Sequence, residues 1–279
     1  MKTYHDKSFK DLTTFKIGGV IKNLYYPTTT EEVATLLRGD TSFHVIGAGS
    51  KILANDEVFE NVICTRLLNK TSFEGTKLRV GAGVYAPSVS VECMKRGLSG
   101  TEFLADIPAT IGGAVIMNAG FMGHDMSQIC VSVEYVTLTG EIKETTDIQW
   151  SRRWCSLQDA GIVTSVTLTL TIKDSSTINT IMEEYHEIRV SNQPQGVASA
   201  GGVFINHRDL IRILSDVPYL RYGDAEIVEL CPNFIVNHGE ASFDEVMHLI
   251  NLIEEHAENI GVSMKREIKI IENISNVVS

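Results

Sequence analysis

Three glycine-rich turns are the segments of this chain whose residue types could hold a ligand through backbone atoms alone. They are Gly47-Ala48-Gly49-Ser50, Ile111-Gly112-Gly113-Ala114 and Ala200-Gly201-Gly202-Val203. Glycine permits positive φ and lets a ligand approach the backbone closely, and successive N–H groups can then surround a phosphate. Taken singly, each segment is better explained as a tight turn, so glycine content does not decide between the two interpretations.

The common nucleotide and metal motifs are absent from the sequence. The first glycine turn follows a predicted strand, but a GxGxxG dinucleotide loop would require glycine where Ile52 stands. No GxxxxGK[ST] phosphate loop occurs, which disfavours an ATPase, and no HExxH occurs. His248 and His256 lie eight residues apart on a mostly apolar predicted helix, so we interpret them as surface or core histidines rather than metal ligands.

The stretch from Ile107 to Gly120 is harder to explain as a simple turn. It is long, rich in small residues and free of charged side chains. Such backbone can lie flat against an extended ligand whose pyrophosphate is bound by N–H donors instead of lysine or arginine. That mode of binding would suit a chain with a net charge of −11.

Hydrophobic periodicity predicts the elements that must position these segments. A capping box at 29–32 indicates a helix that ends at Gly39, Pro87 lies in the first turn of a helix that ends at Gly97, and another capping box starts a helix at Ser242. Alternating or apolar runs predict the strands, a 3.6-residue period predicts one further helix, and one segment has no clear period. The strands are predicted at 43–46, 62–64, 78–80, 131–135, 166–172 and 264–271, the further helix at 178–188, and a loop at 150–161.

Strands and helices alternate without a regular βαβ order, which indicates an α+β fold. Gln193-Pro194-Gln195-Gly196 interrupts the chain after the helix at 178–188, so we expect a domain boundary there. With 279 residues, 43% of them apolar, the chain is long enough to form two ordinary globular domains.

Charge and cysteine content limit the partners that we expect. Lys and Arg number 24 against 35 Asp and Glu, so nucleic acid and anionic membranes would be repelled on average. The N-terminal residues lack the apolar core of a signal peptide, and no apolar stretch approaches about 20 residues. Five cysteines without a CxxC pair indicate free thiols. We therefore expect a cytoplasmic protein that binds a small molecule, with no nucleic acid, membrane or metal partner.

Seven ordered segments resemble the UDP-N-acetylenolpyruvoylglucosamine reductase family, and together they span nearly the whole chain. The run Ile107 to Gly120 resembles the family's FAD-binding signature, and residues 46–53 (IGAGSKIL) resemble its flavin loop. The other five are 14–19 (TFKIGG), 81–83 with 97–102, 199–206 (SAGGVFIN), 232–237 (PNFIVN) and 266–268 (REI).

The resemblance implies a fold and a reaction. It implies an FAD-binding domain of the vanillyl-alcohol-oxidase (PCMH) type over residues 1–192, with two subdomains that divide near 66–76, and a smaller α+β substrate-binding domain over 193–279. It implies FAD as cofactor and NADPH as co-substrate, with reduction of the enolpyruvyl double bond of a nucleotide sugar during peptidoglycan synthesis. The protein then has to stabilise the charge that develops on the carboxylate and deliver a proton.

The resemblance also assigns roles to individual residues. The arginine and glutamate that polarise the carboxylate fall on Arg152, with Arg153 as a neighbouring possibility, and on Glu267; the proton-donating serine falls on Gly202. For Glu267, the residues alone favour a solvated surface charge, because Lys265 and Lys269 would lie on the same strand face. Asn206 and Asn233 are the expected substrate contacts. The expected cofactor contacts are Gly47, Ala48, Gly49, Ser50, Lys51, Ile52, Ile107, Pro108, Ala109, Thr110, Gly112, Gly113, Ala114, Asn118, Ala119 and Val163.

Several positions depart from the family's pattern. Gly202 has no side chain, and Lys51 stands where the flavin loop has asparagine; the remaining departures are Ala109, Ser151, Ile205 and His207. Three hypotheses follow. In the first, the chain catalyses the family reaction with water, His207, Cys155 or Cys231 as proton donor. In the second, it is a flavoenzyme for another small molecule. In the third, it is a catalytically silent flavin-binding protein.

Overall fold

The structure, a computed structural model, describes residues 1–39, 41–205, 208–215 and 217–272. Strands and helices are mixed along the chain. The α-helices are α1 (Thr30–Leu37), α2 (Ala86–Lys95), α3 (Ile111–Ile116), α4 (Ser175–Asn192), α5 (Leu210–Leu214) and α6 (Phe243–Asn259). Short 3₁₀ turns occur at Phe9–Asp11, Thr65–Leu67, Glu102–Leu104 and Met126–Gln128. Within the described ranges, no helix combines the length and the apolar character needed to cross a bilayer.

The strands vary in length from short bridges to a nine-residue strand. In chain order they are β1 (Lys2–Ser8), β2 (Val20–Tyr26), β3 (His44–Ile46), β4 (Ile52–Ala54), β5 (Phe59–Cys64), β6 (Thr71–Glu74), β7 (Lys77–Gly81), β8 (Leu98–Ser99), β9 (Gly120–Phe121), β10 (His124–Asp125), β11 (Cys130–Thr137), β12 (Ile142–Thr145), β13 (Trp150–Ser151), β14 (Trp154–Cys155), β15 (Gly161–Thr169), β16 (Thr171–Ile172), β17 (Ala198–Gly202), β18 (Arg221–Tyr222), β19 (Ala225–Ile227), β20 (Phe234–Asn237) and β21 (Lys269–Ile271). One four-stranded sheet has the order β1-β2-β5-β3.

The chain divides into two compact units, each made of more than one segment. Unit 1 comprises Met1–Tyr4, Leu24–Ala48 and Asn61–Ser191. Unit 2 comprises His5–Asn23, Gly49–Glu60 and the described residues from Asn192 onward. Two N-terminal segments thus belong to the same unit as the C-terminal part of the chain.

Unit 1 contains an antiparallel five-stranded sheet in the order β12-β11-β15-β7-β6. Helix α1 packs on β11 and β12, and α3 packs on β7 and β15. Val80, Ala114, Val133 and Val166 are fully buried within this core. The sheet, α1 and α3 thereby hold the glycine-rich turns of this unit on a rigid base.

Unit 2 contains an antiparallel sheet in the order β17-β20-β19-β18 and a parallel pair formed by β4 and β21. Helix α6 covers β18 and β19 with the buried face of Val246, Leu249, Ile250 and Ile253. Phe15 and Leu53, from the two N-terminal segments of the unit, are buried in the same core. The core of unit 2 is thus assembled from segments far apart in sequence.

Local helix signals in the sequence are confirmed. Thr29 caps α1 by accepting a hydrogen bond from the Glu32 amide, and Ser242 and Glu245 form the reciprocal capping box of α6. Pro87 lies in the first turn of α2, as predicted.

Two predictions of secondary structure were incomplete. The segment expected as a loop at 150–161 contains the short hairpin β13–β14, in which Trp150 pairs with Cys155. The strand expected at 264–271 is reduced to β21, residues 269–271. The amides of Glu267 and Ile268 both donate to the carbonyl of Val203, at 2.7 and 3.2 Å, so the chain bends there and both residues turn inward.

The capping box of α6 provides a test of how unit 2 is stabilised. We expect S242A to lower the free energy of unfolding by about 1 kcal/mol, because the Glu245 amide loses its acceptor. Urea denaturation followed by circular dichroism measures the change. E255A is the control, since Glu255 is exposed on the same helix. Equal stability of S242A and the parent chain would contradict the role of the cap.

Candidate functional site

The loop that follows β3 presents its amide groups away from the protein's own acceptors. Arg66 donates from Nε to the carbonyl of Gly47 and from Nη2 to the carbonyl of Ala48, both at 2.9 Å. In the described part of the chain, the N–H groups of residues 47–50 donate to no protein acceptor. A row of amides with the carbonyls fixed elsewhere is an arrangement that binds anions such as a phosphate.

The second glycine turn uses its amides differently. Thr110 caps α3, and its Oγ1 accepts from Gly113 N at 3.4 Å. Ile111 N donates to Val84 O at 2.9 Å, and Gly112 N donates to Ala82 O at 2.8 Å. The amides at the start of α3 are therefore satisfied within the protein, and the donors that remain for a pyrophosphate lie in the loop 47–50.

Glycine is required where these turns touch. A Cβ at Gly112 would lie 2.8 Å from the Cβ of Ala82, and a Cβ at Gly47 would collide with Thr110 Oγ1. At Gly113 a Cβ would meet only Thr110 Oγ1, at 3.5 Å, so this position faces open space beside the turn. Gly47 and Gly112 thus lie where neighbouring residues leave no space for a Cβ, whereas Gly113 has open space beside it.

The other expected cofactor contacts of unit 1 have varied surroundings. Pro108 is exposed, and Ile107 and Ala109 are half-buried beside α3. Val163 in β15 and Ala119 have side chains buried in the core, 4% and 8% exposed, so a ligand would reach them only at their surface or backbone. Their contact with the cofactor remains a prediction.

Asn118 organises the segment that carries the two candidate arginines. Its backbone has a φ of 37°, its Oδ1 accepts from Ser127 N, and its Nδ2 donates to Ser151 O at 3.1 Å. The last bond attaches the hairpin β13–β14 to the end of the FAD-binding signature. Arg152 and Arg153 form the turn of that hairpin.

The two adjacent arginines have different environments. Arg152 is exposed. Arg153 is half-buried, has a φ of 60°, and donates to Asn118 O at 3.4 Å and to Gly120 O at 3.3 Å. The structure therefore directs Arg153, and not Arg152, against the end of the FAD-binding signature.

A further cation, Arg189, was not predicted from the sequence. It lies in the last turn of α4, stacks over the Phe121 ring at 4.9 Å and donates to Asp106 O at 2.8 Å. Burial lowers the pKa of Arg189; Asp106 opposes that shift, and the like charge of Arg153 adds to it. A basic residue in a last helical turn is common, so no specific signal in the sequence pointed to this site.

In unit 2, the structure brings Lys51, Gly202 and Glu267 together. Lys51 Nζ lies 2.8 Å from Glu267 Oε1 and donates to Gly202 O at 2.7 Å. The side chain of Glu267 is only 9% exposed. Glu267 is thus a buried, paired carboxylate, and the surface-charge interpretation that its strand period favoured is wrong. The alternation of inward and outward side chains that a strand would give stops at Glu267, because the chain bends where the amides of Glu267 and Ile268 bond to the carbonyl of Val203.

The expected substrate contacts of unit 2 have different outcomes. Asn233 clamps the backbone of Phe204, with Oδ1 accepting from its N at 2.8 Å and Nδ2 donating to its O at 2.9 Å. Asn206 and His207 lie outside the described residues. Burial raises the pKa of Cys231 and of the fully buried Cys155, so both thiols hold their protons more tightly than an ordinary cysteine.

Comparison with known proteins identifies the family. A family model described as UDP-N-acetylenolpyruvoylglucosamine reductase, C-terminal domain, matches residues 193–271, and one described as FAD binding domain matches residues 21–146. The UDP-N-acetylenolpyruvoylglucosamine reductase of Moorella thermoacetica is 35% identical over 270 residues, which cover 92% of this chain and 89% of that protein. The chain belongs to this reductase family.

Other relatives agree with this assignment. The reductase of Bacillus subtilis is 34% identical and covers 93% of this chain and 90% of its own length. The crystal structure of the reductase from Thermus caldophilus superposes with a TM-score of 0.82 at 30% identity, and covers 96% of this chain and 98% of that one. The predicted α+β fold, with an FAD-binding domain followed by a C-terminal domain of this family, is confirmed.

The close packing at Gly47 leads to a testable expectation for FAD binding. G47A forces Thr110 away from the loop, and overpacking of this kind costs about 1–3 kcal/mol, so we expect FAD affinity to fall about tenfold or more. Fluorescence titration of the apoprotein with FAD measures it. G39A is the matched control, because a Cβ there meets nothing within 4 Å. Equal FAD affinities for the two variants would contradict a role of the loop at Gly47 in FAD binding.

Proposed function

We propose that this chain is a cytoplasmic, FAD-dependent UDP-N-acetylenolpyruvoylglucosamine reductase. NADPH is the electron donor, and the substrate is UDP-N-acetylglucosamine enolpyruvate, whose double bond is reduced during peptidoglycan precursor synthesis. The observation that carries the proposal is the buried Glu267, paired with Lys51 at 2.8 Å at the position where the family has its catalytic glutamate. Family membership over nearly the whole length supports it.

The residues of unit 1 fit FAD. The N–H groups of Gly47 and Ala48 would hold its pyrophosphate, and Gly112 and Gly113 would allow close approach beside α3. When bound, the cofactor would supply the hydride-transfer chemistry of the reaction. We further propose that the boundary near residue 192 separates the FAD-binding part, residues 1–192, from the substrate-binding part, residues 193–279.

We assign carboxylate polarisation to Arg153 and Glu267. Arg153 is half-buried beside a second guanidinium, Arg189, and a pair of like charges in a partly desolvated place favours the binding of an anionic group. Bidentate donation from a guanidinium to the enolpyruvyl carboxylate would stabilise the negative charge that reduction places there. Arg152 is exposed and lacks this environment.

The departure at Gly202 favours a second candidate function. A flavoenzyme of the same fold that acts on another small molecule would not need a proton donor at this position. Its substrate would still be an anion if it uses Arg153 and Arg189. The redox half-reactions separate the two candidates.

The proposed reaction is tested with the purified holoprotein under anaerobic conditions. We expect NADPH to bleach the flavin absorbance and UDP-N-acetylglucosamine enolpyruvate to restore it, because electrons pass from one to the other through the bound cofactor. Stopped-flow absorbance measures both steps. Bleaching without reoxidation by that substrate would favour the second candidate, and a chain that binds no flavin would refute both.

The choice between the adjacent arginines is tested by matched variants. We expect R153A to lower kcat/KM for the enolpyruvyl substrate about 10²- to 10³-fold, because a charge-stabilising donor is lost. R152A should stay within about twofold of the parent, as surface substitutions usually do. Steady-state kinetics measure both. A larger loss in R152A than in R153A would reverse the assignment.

A further inference from the structure

Two departures from the family's motifs meet in space. Lys51 stands where the flavin loop of the family has asparagine, and Gly202 stands where the family has its proton-donating serine. These positions are 151 residues apart, yet Lys51 Nζ lies 2.7 Å from Gly202 O. The chain has thus lost a hydroxyl and gained an ammonium group at the same place.

The space around Gly202 accounts for the exchange. A Cβ built at Gly202 lies 3.9 Å from Lys51 Nζ, and one built at Gly201 lies 3.3 Å from it. A serine oxygen would extend one bond further than Cβ, so the lysine terminus lies in the neighbourhood that the hydroxyl would use. Gly201 has a φ of 67°, which favours glycine there in any case.

Topology holds the ammonium group in this position. Lys269 N donates to Lys51 O at 2.8 Å, which starts the parallel pairing of β21 with β4. Glu267 N donates to Val203 O at 2.7 Å, which places the glutamate beside the residue that follows Gly202. Backbone bonds on both sides of Glu267 therefore fix the Lys51–Glu267 pair. The Lys51 side chain remains 26% exposed, so water can reach it.

We propose that Lys51 replaces the family's serine as the proton donor to the substrate carbon. This inference rests on the proposed function. When bound, the reduced cofactor would supply one hydrogen and two electrons to the methylene carbon of the enolpyruvyl group, and the electron pair of the carbon–carbon π bond would then lie on the neighbouring carbon. An N–H bond of Lys51 then breaks as a C–H bond forms at that carbon, and water returns the proton to the amine.

An ammonium group suits this step chemically. It is a stronger acid than an aliphatic hydroxyl, and it carries protons that it can transfer to a carbanion. Its positive charge also lies next to the developing carbanion, where it is stabilising. Glu267 supplies the counter-charge that compensates for burial of the ammonium group.

The test compares the two half-reactions in variants of the holoprotein. We expect K51M and K51R to slow flavin reoxidation by UDP-N-acetylglucosamine enolpyruvate about 10²- to 10⁴-fold, a much larger loss than any change in flavin reduction by NADPH, because only the reoxidation step takes a proton from Lys51. K51R is decisive, because arginine keeps the charge and the partner Glu267 but does not release a proton. K51R also provides the test if K51M is too unstable to purify. The melting temperature of each variant shows whether it is folded.

A reversal variant provides the matched control. The double variant K51N/G202S recreates the family's residues, and we expect it to regain at least about tenfold in reoxidation rate over K51N. G202S alone should bring no gain, because Lys51 Nζ, 3.9 Å from the Cβ built at Gly202, occupies the space that the serine hydroxyl would use. The reoxidation rate of the parent should fall at alkaline pH as Lys51 loses its proton, and K51N/G202S should lack that limb.

The outcomes separate this inference from the proposed function. A parent protein whose flavin the substrate never reoxidises overturns the proposed function and this inference with it. A parent that turns over, with K51R retaining its reoxidation rate, overturns the role of Lys51 alone. Retention of the alkaline limb in K51N/G202S would likewise assign the proton to another group.

Discussion

A carboxylate that is 9% exposed needs a partner, and the constraint on unit 2 is that this partner must arrive from a distant segment. Glu267 receives it from Lys51, because β21 pairs in parallel with β4 and Lys269 lies opposite Ile52. The same strand end bonds to Val203, which brings Gly202 to the pair. Three short segments of unit 2 are thus connected by one ion pair and several backbone hydrogen bonds.

Unit 1 differs from unit 2 in that it presents backbone N–H groups, and not charged side chains, as hydrogen-bond donors. The amides that begin α3 are bonded to Ala82 and Val84, so the helix start is a packing element. Arg66 holds the carbonyls of Gly47 and Ala48, and this leaves the amides of that loop for a ligand. An acidic protein can bind a pyrophosphate in this way, since oriented dipoles act at short range and do not require a positive net charge.

The sequence predicted what depends on neighbours in the chain. The caps of α1 and α6 and the proline of α2 are local signals, and they were confirmed. Burial of Glu267 depends on a bend that Val203 imposes from 64 positions earlier (267 − 203), and strand alternation alone pointed to the surface. Arg152 and Arg153 are adjacent in the turn of the β13–β14 hairpin, and the turn leaves Arg152 exposed and Arg153 half-buried. Motifs name the candidate residues, and tertiary contacts supply their surroundings, which the sequence does not contain.

The Lys51–Gly202 contact indicates that the two departures form one change and not two losses. A serine at 202 would crowd Asn233, whose amide is committed to Phe204, while the lysine terminus occupies the adjoining space. Conversely, asparagine at 51 would remove the ammonium group that pairs with the buried Glu267 at 2.8 Å. Residues that share a partner in this way do not contribute additively. In unit 2, one end of the Lys51–Glu267 ion pair therefore lies beside Gly202, so the residue types at 51 and 202 share one neighbourhood.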